Sequence, residues 1–149
     1  MKFNSINDTG LEPNERKALN SLNTLLAVLN DKSLSNQSID LINREIDLIH
    51  QKLEEGQGLR GQVLKSKTKI LKHLEKEEGL VPKNHYQRLW LVLGMSVFGI
   101  PIGVLFGFAT GNMGLLGVGL PIGMFIGLIF GKRLDKKAAD ENRQLDFSL

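Results

Sequence analysis

Apolar residues in the first half of the chain recur every three or four positions. Leu19, Leu22, Leu26 and Leu29, with Leu25 widening the face, predict an amphipathic helix from Pro13 to about Asn30. Proline suits its first turn, where no N–H is needed. Ile39, Ile42, Ile46, Ile49 and Leu53 predict a second helix, opened by Ser35 as N-cap and closed near Glu55 by Gly56. Leu59, Val63, Ile70 and Leu74, flanked by Leu64 and Leu71, predict a third, from about Leu59 to Glu78. Gly79 terminates it, Pro82 lies beyond, and Gly61 weakens its first turn.

The amphipathic pattern then stops. From Leu89 to Gly131 there is no Asp, Glu, Lys, Arg or His. A membrane crossing takes about 20 apolar residues at a rise of about 1.5 Å each. The uncharged stretch is too long for one crossing and suits two, about 88–110 and about 115–134, with a turn near the more polar Thr110–Gly114. The expected architecture is all-α: a soluble three-helix bundle or coiled coil, followed by a two-helix transmembrane hairpin. By residues, 1–12 form an N-terminal segment, 13–82 the soluble domain, 83–138 the hairpin and 139–149 a polar tail.

Eleven of the 16 glycines lie in the uncharged stretch. Gly99, Gly103, Gly107 and Gly111 form one four-residue ridge; Gly119, Gly123, Gly127 and Gly131 form another. Small residues let helix backbones approach closely in lipid, where apolar side chains gain little from one another. Folding the hairpin at Met113 would pair Gly99 with Gly127, Gly103 with Gly123 and Gly107 with Gly119. Two arrangements use such ridges, a seam within one chain or contacts between chains. Pro101 and Pro121 each remove a backbone hydrogen bond and are expected to kink their helices. The GxxxGxxxGxxxG runs over residues 99–131 resemble the glycine-zipper class of two-helix membrane proteins. That resemblance implies a packing mode shared by self-assembling pores and inert anchors, with no catalytic residues to carry over.

Charge sets the expected orientation. Lys83 and Arg88 precede the hairpin, Lys132, Arg133, Lys136 and Lys137 follow it, and the turn is neutral, which places both termini in the cytoplasm. Tyr86, Trp90, Lys132 and Arg133 are the expected interfacial anchors. Residues 31–55 are net acidic and 59–76 net basic, which favours pairing the second and third helices. Lys65, Lys69, Lys72 and Lys76 line one stripe, a candidate surface for anionic lipid or a partner, or simply a solvated face. Leu41 and Leu48, one heptad apart, are expected to point off the main apolar seam and offer a second contact. In the tail, Phe147 and Leu149 could dock as a terminal peptide, against the commoner expectation of a disordered end.

The net charge of +3 is too dispersed to suggest nucleic acid. With no cysteine, thiolate zinc sites, Cys nucleophiles and disulfides are excluded. The first ten residues lack the apolar core of a signal peptide. His50, His73 and His85 fit no metal motif, and no phosphate-loop or nucleophile-elbow pattern occurs. The expectation is therefore a non-enzyme without cofactors: an oligomeric membrane anchor, scaffold or accessory subunit with the bilayer, its own copies and a protein as partners. The alternative is a pore of glycine-rich hairpins gated by the soluble helices. The hairpin carries no ionisable group of the kind conventional transporters use.

Overall fold

The computed structural model describes residues 3–6 and 10–148, so Leu149 and parts of the N-terminal segment lie outside the described residues. The protein is all-α apart from one small two-stranded sheet. It divides into two units: residues up to Pro82 together with Leu145–Phe147, and Lys83–Gln144.

In the first unit, α1 (Pro13–Leu29), α2 (Asn36–Glu55) and α3 (Leu59–His73) supply one hydrophobic core. α3 packs on both α1 and α2. Leu19, Leu22, Leu25, Leu26 and Leu29 are buried, as are Ile42, Ile49, Leu59, Val63, Ile70 and Leu74, each at the position the helical period assigns to the inner face. Burying one such side chain stabilises by about 1.5–3 kcal/mol before chain entropy is charged against it. Ser35 caps α2, its Oγ accepting the Ser38 N–H at 3.3 Å. Gly56 (φ 68°) and Gly58 (φ 72°) take left-handed conformations that turn the chain from α2 into α3 at little steric cost. The end of α3 widens into a π-helical turn, Leu74–Glu78.

The tail departs from expectation. Residues after the last helix do not simply fray. Gln144–Ser148 form β2, paired with β1 (Val81–Lys83). Strand alternation puts Leu145 and Phe147 on one face, and both are buried in the core of the first unit. The Lys67 ammonium lies 5.8 Å from the Phe147 ring centroid.

The second unit is a helical hairpin. Its first arm runs through α4 (His85–Leu93), a π-helical turn (Gly94–Gly99) and α5 (Ile100–Thr110). A 3-10 turn (Met113–Leu115) leads into α6 (Leu116–Asp140), which packs along the whole first arm. Both arms, His85–Thr110 and Met113–Asp140, are long and apolar enough to cross a membrane. They run a little beyond the expected bounds of 88–110 and 115–134. Pro101 is the second residue of α5, directly after the π turn. A widened turn relieves the clash between a proline ring and the preceding carbonyls. Pro121 lies inside α6.

Candidate functional site

The hairpin is glycine inside and bulky outside. Gly94, Gly99, Gly103, Gly107, Gly119, Gly123, Gly127 and Gly131 are buried, whereas Leu105, Phe108 and Phe125 are 69%, 71% and 67% exposed. A Cβ added at Gly119 would lie 2.1 Å from the Gly99 carbonyl oxygen. At Gly123 it would lie 2.3 Å from the Gly94 oxygen, at Gly127 2.0 Å from the Trp90 oxygen, and at Gly103 2.3 Å from the Leu116 oxygen. At Gly131 it would meet the Gln87 Cα at 2.5 Å. The backbones approach so closely that only hydrogen fits between them. Gly107 is looser, with the Met113 sulfur at 3.4 Å.

Three details differ from the sequence expectation. The register is shifted: Gly99 lies against Gly119 and Gly123, and Gly127 against Trp90. The extended Asn112 and the 3-10 turn after it advance more per residue than an α-helix, about 2.0 Å against 1.5 Å in the turn. That gain is worth only about one residue of α-helix; the larger part of the shift comes from the chain turning at Gly111 (φ 65°) and Asn112, ahead of Met113. Gly111 is not in the seam; it is exposed at φ 65° and ends α5 as a left-handed cap. Gly94 is in the seam although it sits five residues before Gly99. The π turn inserts one residue per turn, and that restores Gly94 to the same face.

The open end of the hairpin is held by a residue the sequence pattern did not single out. Asp135 of α6 is buried; it accepts the Tyr86 N–H at 3.0 Å and the Gln87 N–H at 2.9 Å. These are free N–H groups of the first turn of α4, whose own N-cap residue, Asn84, offers no side-chain bond. A carboxylate there also complements the helix dipole. Trp90 stacks on Phe130 with centroids 5.5 Å apart. Tyr86 is half-buried, and Lys132 and Arg133 are exposed.

The first unit carries two polar clusters. Glu45, 2% exposed, accepts bonds from Ser66 Oγ (2.7 Å) and the Lys69 ammonium. Burial pushes its carboxyl pKa up, but the Lys69 and Ser66 donors and the nearby Lys65 charge outweigh this and leave it lowered. Glu78 accepts from the Ser35 N–H (2.9 Å) and hydroxyl (2.6 Å) and from the Ser38 hydroxyl (2.6 Å), bonds that lower its pKa. Ser38 Oγ is also 3.2 Å from His73 Nε2. This grouping of serine, histidine and carboxylate ties the start of α2 to the end of α3. Ser38 is fully buried and the carboxylate bonds the serines, not a geometry that presents a nucleophile.

Of the lysine stripe, Lys69 is committed to Glu45 and Lys76 pairs with Glu77, while Lys65 and Lys72 are exposed. The two leucines part company: Leu48 is exposed, but Leu41 is half-buried against the core, because it sits next to Ile42 on the edge of the inner face. Leu41 borders a groove of about 610 Å³ between α2 and α3, with Asp40, Arg44, Lys69 and His73. Among the described residues no cluster of His, Asp or Glu could hold a metal ion.

These features define a class by architecture: an all-α chain joining a helical unit with a conventional apolar core to a hairpin of inverted burial. Comparison with protein-family models, with curated proteins and with solved structures finds no match.

Proposed function

We propose that this chain is a small integral-membrane protein whose glycine-zipper hairpin crosses the bilayer twice and anchors a partner-binding helical unit at the cytoplasmic surface. The inverted burial of the hairpin carries this reading. In water, residues such as Phe108 and Phe125 would be driven inward; in hydrocarbon they need no cover, and close backbone contact is what remains to join the arms. Lys83, Arg88, Lys132 and Arg133 flank the open end, and the turn is uncharged, which favours both termini on the cytoplasmic side. The pairing of β1 with β2 supports the same topology, because these strands precede and follow the hairpin.

A scaffold is better supported than a pore. Ser96 and Thr110, polar groups on the outer surface of the hairpin, donate their hydroxyls to carbonyls of their own helix, Val92 at 3.0 Å and Phe106 at 2.7 Å. They are thereby satisfied without lining water. The glycine seam is occupied within one chain, so oligomers would form through other faces. The test is extraction and labelling. Full-length protein should stay with membranes through alkaline carbonate, and single cysteines at Lys32 and Asp146 should be labelled from the same side. Release as a water-soluble monomer, or labelling from opposite sides, refutes the reading. Reconstituted vesicles should remain tight to small ions.

A further inference from the structure

The N-terminal segment is held as a peptide ligand would be. The Phe3 N–H donates to Asn30 Oδ1 at 2.6 Å, and Asn30 Nδ2 donates back to the Phe3 carbonyl at 3.1 Å. The Ile6 N–H donates to Asn23 Oδ1 at 2.9 Å, and Asn23 Nδ2 donates to the Ile6 carbonyl at 2.9 Å. Each side-chain amide thus pairs with both polar groups of one residue, as a neighbouring strand would. The spacing fits as well. Asn23 in α1 and Asn30 at its C-cap are seven residues apart, about 10.5 Å along the axis, and three residues at the roughly 3.1 Å rise and three-residue period of polyproline II span about 9 Å and bring both residues' polar groups to one side. Ile6 is buried in the core and Phe3 half-buried beside a cavity of about 200 Å³ bordered by Leu29, Leu34 and Ile39. Asn4 and Ser5 between them are exposed.

We propose that this face of α1 is a peptide-recognition site. It is occupied in cis by residues 3–6 and accepts, in exchange, an extended segment of a partner protein bearing large apolar residues three positions apart. The polar bonds go to main chain alone, so they impose extended shape without fixing sequence. The two apolar sockets supply the selectivity, as in other strand-like recognition. Only a few residues link Ile6 to α1, so the cis segment competes at an effective concentration of order millimolar. A partner displaces it only when tethered nearby or bound more tightly, which suits a scaffold confined to a membrane. The proposal rests on the partner-binding role given above and names the site and the chemistry of the partner.

The test uses full-length protein in nanodiscs and a fluorescent peptide, MKFNSINDT. Phe3→Ser with Ile6→Ser empties the site; this variant should bind the peptide more tightly than wild type, by about 10-fold where the peptide's own Kd is about 0.1 mM against a competitor of about 1 mM effective concentration. Methylating the peptide nitrogen at its isoleucine, or replacing its phenylalanine and isoleucine with alanine, should each weaken binding at least tenfold. Adding Asn23→Leu and Asn30→Leu to the protein should do the same. If the double serine variant fails to fold, Ile6→Pro keeps an apolar side chain while deleting the N–H that Asn23 receives. A folded, emptied protein that binds no peptide overturns the proposal, as does binding indifferent to N-methylation. Dimers that appear at micromolar protein and vanish in Asn23→Leu would place a second copy in the groove and overturn it as stated. Failure to insert into bilayers with peptide binding intact would refute the membrane reading alone.

Discussion

Gly117 and Gly119 lie two residues apart in α6 and face opposite environments. A Cβ at Gly117 meets nothing within 4 Å. At Gly119 it would sit 2.1 Å from the Gly99 oxygen, 2.3 Å from the Gly103 nitrogen and 2.6 Å from the Gly103 Cα. A tolerable carbon–oxygen contact is about 3.3 Å, so Gly119→Ala must push the arms apart by roughly 1 Å, and no flexible side chain is there to yield. Overpacking of this kind costs about 1–3 kcal/mol, and separating one contact loosens its neighbours at Gly103 and Gly123. Both substitutions gain up to about 1 kcal/mol of helix propensity. Gly117→Ala should therefore be neutral to about 1 kcal/mol stabilising, and Gly119→Ala less stable than Gly117→Ala by about 1–3 kcal/mol. The single tryptophan, Trp90, is stacked on Phe130 across the two arms and reports their association by fluorescence during titration of mild detergent micelles with dodecyl sulfate. If the two variants unfold within about 0.5 kcal/mol of each other, backbone contact does not hold the seam.

Three other perturbations probe the rest of the molecule. Asp135→Ala removes the acceptor for two N–H groups of α4 and should cost about 1–2 kcal/mol, with faster hydrogen exchange at Tyr86 and Gln87. Phe147→Ala should cost about 3–5 kcal/mol in thermal unfolding of the first unit and expose the C-terminal residues to protease, since the ring is buried in that core. For Glu78 the folded pKa lies below its ordinary value of 4.5, so its stabilisation is present above about pH 4.5 and lost as pH falls through the lower, folded value. Glu78→Gln should thus lower the melting temperature at pH 7 and shrink that difference towards pH 3; a gap that stays constant with pH refutes the charge-assisted bonds to Ser35 and Ser38.

Local rules were enough for much of the fold. The three N-terminal helices follow from the spacing of leucine and isoleucine, and their ends from Ser35, Gly56 and Gly79, whose preferences act within a few residues. What escaped depends on distance or on a break in period. Asp135 meets its partners 48 and 49 residues away, and in sequence it is only an acid among basic neighbours. Gly94 falls outside the four-residue ridge until a π turn is inserted, and the one local hint of that turn is Pro101 just beyond it. Leu145 and Phe147 alternate as a strand would, but five residues with polar neighbours are too few to distinguish a docked strand from a loose end. Asn23 and Asn30 were not singled out at all, since nothing local says that an amide there will grip a backbone.

The docked tail adds a constraint that the helices alone would not impose. With β1 and β2 paired, the chain from Lys83 to Gln144 is a closed loop flanked on both sides, at Pro82 and Leu145, by residues of the first unit. Closing a loop of this length in an unfolded chain costs a few kcal/mol of entropy, growing only slowly with its length. Folding the first unit has already met that cost, so the two arms begin with their open ends near each other. On the membrane reading this division of labour explains why the seam can be so plain. It needs neither side-chain specificity nor polar bonds within the bilayer to find its partner, because that partner is delivered by the unit outside. Cutting the tie with Phe147→Ala should then weaken the hairpin as well, shifting the Trp90 transition to lower dodecyl sulfate with no change made inside the seam. An unchanged Trp90 transition would mean that the glycine contacts alone hold the arms together.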